Sequence, residues 1–88
     1  MLDQLILSLK TDWKDTLFQI ALKNKSLDNF LVECLQLNKV IYPPQNMIFN
    51  AFNHFNMIDL KVVIIGQDPY FRKDQGNGLC FSVNKEIQ

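Results

Sequence analysis

Four β-branched residues in succession, Val62-Val63-Ile64-Ile65, stop at Gly66 and give way at once to polar residues. An unbroken apolar run of this length reads as a strand buried on both faces, the pattern of parallel sheets covered by helices. In open α/β sheets, ligands bind outside the carboxyl ends of the strands, where the chain has just left the core. The residues at that end are Gln67-Asp68-Pro69-Tyr70. Pro69 fixes its own φ and drives Asp68 towards extended backbone. Gly66 allows backbone or ligand to approach closely. A carboxylate held beside a phenol at a strand tip is a site for chemistry. Equally, Asp68 can cap a turn and Tyr70 can simply pack.

The sequence before this stretch predicts helices. Met1 to Lys10 is apolar but carries Asp3, and it lacks the basic start and small-residue cleavage site of a signal peptide. It reads as a helix in an intracellular, cytoplasmic protein. A second helix is predicted over Thr11 to Asn24, with Thr11 or Asp12 as cap and Trp13, Leu17, Ile20 and Ala21 on one face. Trp13 reads as a core anchor; the competing role is a base-stacking platform. A third helix starts at Ser26 and stops near Asn38, with Leu27, Phe30, Leu31, Cys34 and Leu35 as its core stripe. Tyr42 before Pro43-Pro44 must be extended, so no helix crosses this point. Pro44 opens a fourth helical segment to about His54, and Leu79 to Val83 reads as a second strand or extended piece.

At 88 residues a single domain spanning 1–88 is the only option, and no apolar run approaches the ~20 residues a membrane span needs. Nine basic and nine acidic residues balance, whereas most DNA-binding domains are basic. The balance weighs against nucleic acid without excluding it, because local patches such as Lys23 with Lys25 or Arg72 with Lys73 count for more than totals. Such small clusters are also ordinary solvated surface. Cys34 and Cys80 are far apart, lack metal-ligand spacing and sit in apolar contexts, so they read as buried free thiols. His54, the single histidine, near a helix end, reads as a surface residue. The Gly76-Asn77-Gly78 triplet lacks the longer fingerprint of a phosphate loop.

The string Gly66-Gln67-Asp68-Pro69-Tyr70, followed by Gly78-Leu79-Cys80-Phe81-Ser82-Val83, closely resembles the first catalytic motif of uracil-DNA glycosylases. Ile41-Tyr42-Pro43-Pro44, then Ile48-Phe49-Asn50-Ala51-Phe52, then Lys61 to Gly66 follow the order and spacing that family shows upstream of its catalytic loop. Together these blocks cover about half the chain. The resemblance implies an α/β fold, with amino-terminal helices leading into the first strands of a parallel sheet within a three-layer architecture. It implies a base-excision-repair hydrolase that flips uracil out of DNA and cleaves its N-glycosidic bond without metal or cofactor. By the same resemblance, Asp68 activates water and steadies the sugar cation. The Gln67 amide binds a uracil carbonyl, Tyr70 excludes the methyl of thymine, and Phe81 stacks on the base. In-strand core packing is the other role open to Phe81.

The chain also departs from the family. Phe71 stands where a histidine is usual, Arg72-Lys73 replaces Gly-Pro, and Asn77 replaces another common histidine. The family's uracil-reading asparagine, its serine-proline loop and its His-Pro-Ser loop do not occur before Gln88. The chain is therefore expected to be the amino-terminal portion of a glycosylase, cut short by a stop codon, a frameshift or the choice of expressed segment. It is expected to be monomeric when complete and prone to self-association as a fragment, with its strand lacking neighbours. The other readings are a non-catalytic remnant that binds a partner through an open sheet edge, and a small α/β domain binding a polar ligand at the Asp68 loop.

Overall fold

The structure is a computed structural model that describes residues 1–68 and 70–83. Its regular elements are helices: α1 (Leu2–Leu7), α2 (Trp13–Leu22) and α3 (Lys25–Gln36). Single 3-10 turns follow at Gln45–Met47, Asn50–Asn53 and Met57–Asp59. The fourth helix expected from Pro44 to His54 is thus broken into turns. The peptide joining Tyr42 to Pro43 is cis.

The core is small and lies under α1. Leu2, Ile6 and Leu9 are buried, with Ile6 at 1% exposure. The i, i+4 spacing of Leu2 and Ile6 puts both on the inner face of one helical turn. The amino end of α1 is seated on the first turn of α3. The Leu2 amide donates to Asp28 Oδ1 at 2.7 Å, and the Met1 ammonium lies 3.2 Å from the same oxygen. These contacts hold the Asp28 carboxyl below its usual range, the Leu2 amide first and the ammonium second. They raise the Met1 amine, chiefly through its hydrogen bond to Asp28.

The start of α2 is stitched to residues 52–57. The Thr11 hydroxyl donates to the Phe52 carbonyl at 2.6 Å, and the Lys10 amide donates to Asn53 Oδ1 at 2.9 Å. Asp12 and the Asn56-Met57 pair reciprocate: the Asp12 amide donates to Asn56 Oδ1, and the Met57 amide donates to Asp12 Oδ1. Thr11 and Asp12 were expected to cap α2. Its N-cap, Asp12, makes no side-chain cap bond, because its carboxylate is spent on this longer-range contact. Trp13 is half-buried, sets its ring edge-on to Phe52 at 5.2 Å and donates its indole N–H to the Phe55 carbonyl. It anchors α2 from the edge of the core rather than from inside it.

α2 and α3 end as their sequences suggest. Asn24 folds back so that its Nδ2 donates to the Ile20 carbonyl. Asn38 takes a left-handed φ of 59°, its amide reaching Leu35 O and the Lys39 amide reaching Cys34 O. That is the paired closure of a Schellman motif, with asparagine in the place glycine usually takes.

Three expectations are not met among the described residues. The stripe predicted as core on α3 is largely uncovered, with Leu27, Phe30 and Leu35 exposed. Val62 to Ile65 form no strand among the described residues, and their exposures run from 65% to 88%. Leu79 to Val83 likewise form no strand; residues 80 and 81 lie in a turn. A strand exists only as a partner in a ladder, and no backbone hydrogen bond joins Val62 to Ile65 to another described segment.

Candidate functional site

The chain after residue 60 contributes a cavity rather than a core. Its volume is about 550 Å³, within the size range of small-molecule sites. Gln67, Asp68 and Tyr70, the loop from Gly76 to Phe81, and Pro43 and Ile48 line it together, with Gly76 set against Pro43 and Tyr70. Pro69 lies outside the described residues, so its expected stiffening of the loop has no structural counterpart here.

Two glycines let the walls come together. A side chain at Gly66 would stand 3.1 Å from Cys80 Sγ, a tight approach that the absent Cβ relieves. Gly78 has φ +84°, and a Cβ there would run into the Met47 carbonyl and the Asn50 side chain. Backbone conformation and space both demand glycine at this position.

The residues singled out from the sequence share this space. Asp68 and Gln67 are exposed, Tyr70 is half-buried, and Phe81 is 83% exposed with a left-handed φ of 57°. The cavity thus gathers a carboxylate, a primary amide with its backbone N–H, a phenol and an exposed aromatic face. Such a set can hold a flat polar ring by its edge and its face while presenting an anion to it. Among the described residues Phe81 packs into no core. Phe71, beside Tyr70, is also exposed and carries the Arg72 guanidinium 5.6 Å from its ring centre.

Asn77 was legible in the sequence only as a departure from a motif. It is the buried polar residue among the described residues, at 8% exposure, and it ties its loop together. Its Oδ1 accepts from the Leu79 amide at 3.1 Å, its Nδ2 donates to Ser82 Oγ at 2.9 Å, and its carbonyl accepts from Asn50 Nδ2 at 2.6 Å. The bond from its side chain to the amide two residues on is an Asx turn, a propensity that an asparagine between two glycines does signal.

Cys80 corrects an expectation. Its thiol is exposed, not buried, because the segment meant to cover it forms no sheet; Cys34 is half-buried, and both are free thiols. His54 is exposed, as its position suggested. Among the described residues no three histidine, cysteine, aspartate or glutamate side chains gather as metal ligands. No helix among them is long and apolar enough to cross a membrane.

Comparison with known proteins finds uracil-DNA glycosylases among the relatives of this chain. A uracil-DNA glycosylase of Acinetobacter baylyi is 47% identical over 81 residues, covering 90% of this chain and 34% of the relative. One from Buchnera aphidicola subsp. Acyrthosiphon pisum is 49% identical over 77 residues, covering 85% of this chain and 34% of its own length. One from Campylobacter jejuni subsp. doylei is 39% identical over 84 residues, or 93% of this chain and 36% of the relative. The chain therefore spans about a third of the length of the curated relatives it matches, consistent with the amino-terminal portion expected from its motifs. No family model matches the chain, and no solved structure matches it.

Proposed function

From this homology to uracil-DNA glycosylases we propose that the chain carries the water-activating and base-recognising half of a site that excises uracil from DNA. The observation that carries the reading is the grouping of Gln67, Asp68, Tyr70 and Phe81 around one open cavity. Hydrolysis of the N-glycosidic bond develops positive charge on the sugar and negative charge on the departing base. Asp68 orients the attacking water and faces the sugar cation with its own negative charge. The Gln67 backbone amide donates to a uracil carbonyl. Tyr70 occupies the space a thymine methyl would need, so discrimination comes from a clash rather than from an added attraction. Phe81 stacks on the flipped base, a contact worth ~1–3 kcal/mol. The substrate is uracil-containing DNA, the setting base excision repair in the cytoplasm, and no metal or other cofactor takes part. Val62 to Ile65 form the first strand of a parallel sheet once neighbouring strands are supplied, and the complete protein is a monomer.

The test is uracil release from a single-stranded oligonucleotide bearing one uracil, read as alkali-labile abasic sites. Release by the chain that vanishes with Asp68→Asn supports the reading; release that survives the substitution defeats it.

A second reading is favoured by the exposure of Val62 to Ile65. On this reading the chain is a non-catalytic fragment that binds partners, or itself, through that apolar segment. Concentration-dependent association in sedimentation, without uracil release, supports the second reading over the first.

A further inference from the structure

We infer that Asn77 is a positioning residue that sets where the Phe81 ring stands in the cavity that Asp68 also lines; the inference rests on the glycosylase reading for what that ring contacts. A buried primary amide is costly unless its polar atoms are paired, and those of Asn77 are. Its side-chain partners are two residues before Phe81 and one residue after it. Leu79 is held by its amide on Asn77 Oδ1, and Ser82 by its hydroxyl on Asn77 Nδ2. The short bend between these feet is closed by the Ser82 amide on the Leu79 carbonyl at 3.3 Å. Phe81 is the exposed apex of that bend, in a left-handed conformation that non-glycine residues adopt only where their surroundings over-determine it.

The same asparagine registers the bend against the rest of the molecule. Its carbonyl takes the Asn50 side-chain N–H, and Gly78 slots beneath the Met47 carbonyl beside it. Asn77, Gly78 and Leu79 line the cavity and Asn50, Met47 and Ser82 brace them from outside it; no hydrogen bond of Asn77 goes to Leu2, Ile6 or Leu9. Asn77 therefore acts on the site through Phe81, and losing it leaves the helical part of the chain in place.

The experiment titrates free uracil against the full 88-residue chain and follows the uracil ring protons by ligand-observed NMR. Asn77→Ala and Phe81→Ala each weaken binding about tenfold. The double variant is no more than about twofold weaker than either, because both remove one contact. Asn77→Asp keeps binding within about threefold of the parent, since its carboxylate accepts from both the Leu79 amide and the Ser82 hydroxyl. Parent-like binding by Asn77→Ala, or losses that multiply in the double variant, overturns the inference.

If the parent does not bind uracil, the glycosylase reading fails, and the positioning role is decided by amide exchange alone. Asn77→Ala then speeds exchange at Leu79 and Ser82 and shifts the Phe81 ring resonances, Asn77→Asp does neither, and the Trp13 indole resonance stays put in both. Unchanged exchange in Asn77→Ala overturns the inference on this arm too.

Discussion

The first sixty residues and the twenty-three that follow solve opposite problems. In the first region, groups some forty residues apart in sequence are joined side chain to backbone, as Thr11 is to Phe52 and Trp13 to Phe55. In the second, Val62 to Ile65 make no backbone hydrogen bond to another described segment; the Cys80 thiol lies 3.8 Å from the Ile64 carbonyl. The most apolar stretch of the chain is among its most exposed, while the 77–82 loop beyond it is tied together by the buried Asn77 amide and its neighbours. Hydrophobicity alone does not make a core. A segment that needs ladder partners stays open until they arrive, whereas a turn that satisfies its own polar groups forms on local contacts.

The largest expected effect separates chemistry from fold. Asp68→Asn lowers uracil release by about 10²–10⁴-fold, the usual span for a general base, with the far-ultraviolet circular dichroism of the helices unchanged. A helical signal that falls with activity would place Asp68 in the fold and break the contrast. Next comes packing. Ile6→Ala destabilises the helical region by about 2–5 kcal/mol in urea titration. Ile64→Asp, made at a site 65% exposed, shifts the same curve by no more than about 0.5 kcal/mol. Equal costs at the two isoleucines would erase the distinction between the regions.

A smaller effect tests the stitching. Trp13→Phe keeps a ring against Phe52 but loses the indole donor to Phe55, and costs about 1 kcal/mol by the same titration. The smallest effect is in pH. Asp28 is depressed in the folded chain, so its contribution is present above the ordinary carboxylate range and fades as pH falls through the lowered value. The Met1 amine is raised, so its contribution is full below about pH 8, its ordinary value, and fades as pH climbs through the higher one. The seating of α1 on α3 is therefore firmest between the two. Asp28→Asn flattens both limbs of a stability-against-pH curve, and limbs that persist would assign them to other groups.

Helices α2 and α3 were legible because their signals are local: apolar spacing, Asn24 and Asn38 as stops, Pro43-Pro44 as a break. Their caps were misread because a carboxylate such as Asp12 has more than one amide in reach, and sequence spacing does not rank a near amide against one forty-five residues away. The strand was read from composition, but a strand is a relation between segments, and its partners are absent from the described residues. At the site, Gln67, Asp68, Tyr70 and Phe81 were legible through their motif. Asn77 was not, because its importance lies in burial and three hydrogen bonds, and neither is written in residue type.

Four adjacent aliphatic side chains facing water have a consequence inside a cell. Exposed apolar segments without ladder partners are what make incompletely packed chains prone to aggregation and subject to triage by chaperones and proteases. A partner or further strand that settles over Val62 to Ile65 would remove that liability. Quality control would inspect this chain at the very residues that lead into its cavity.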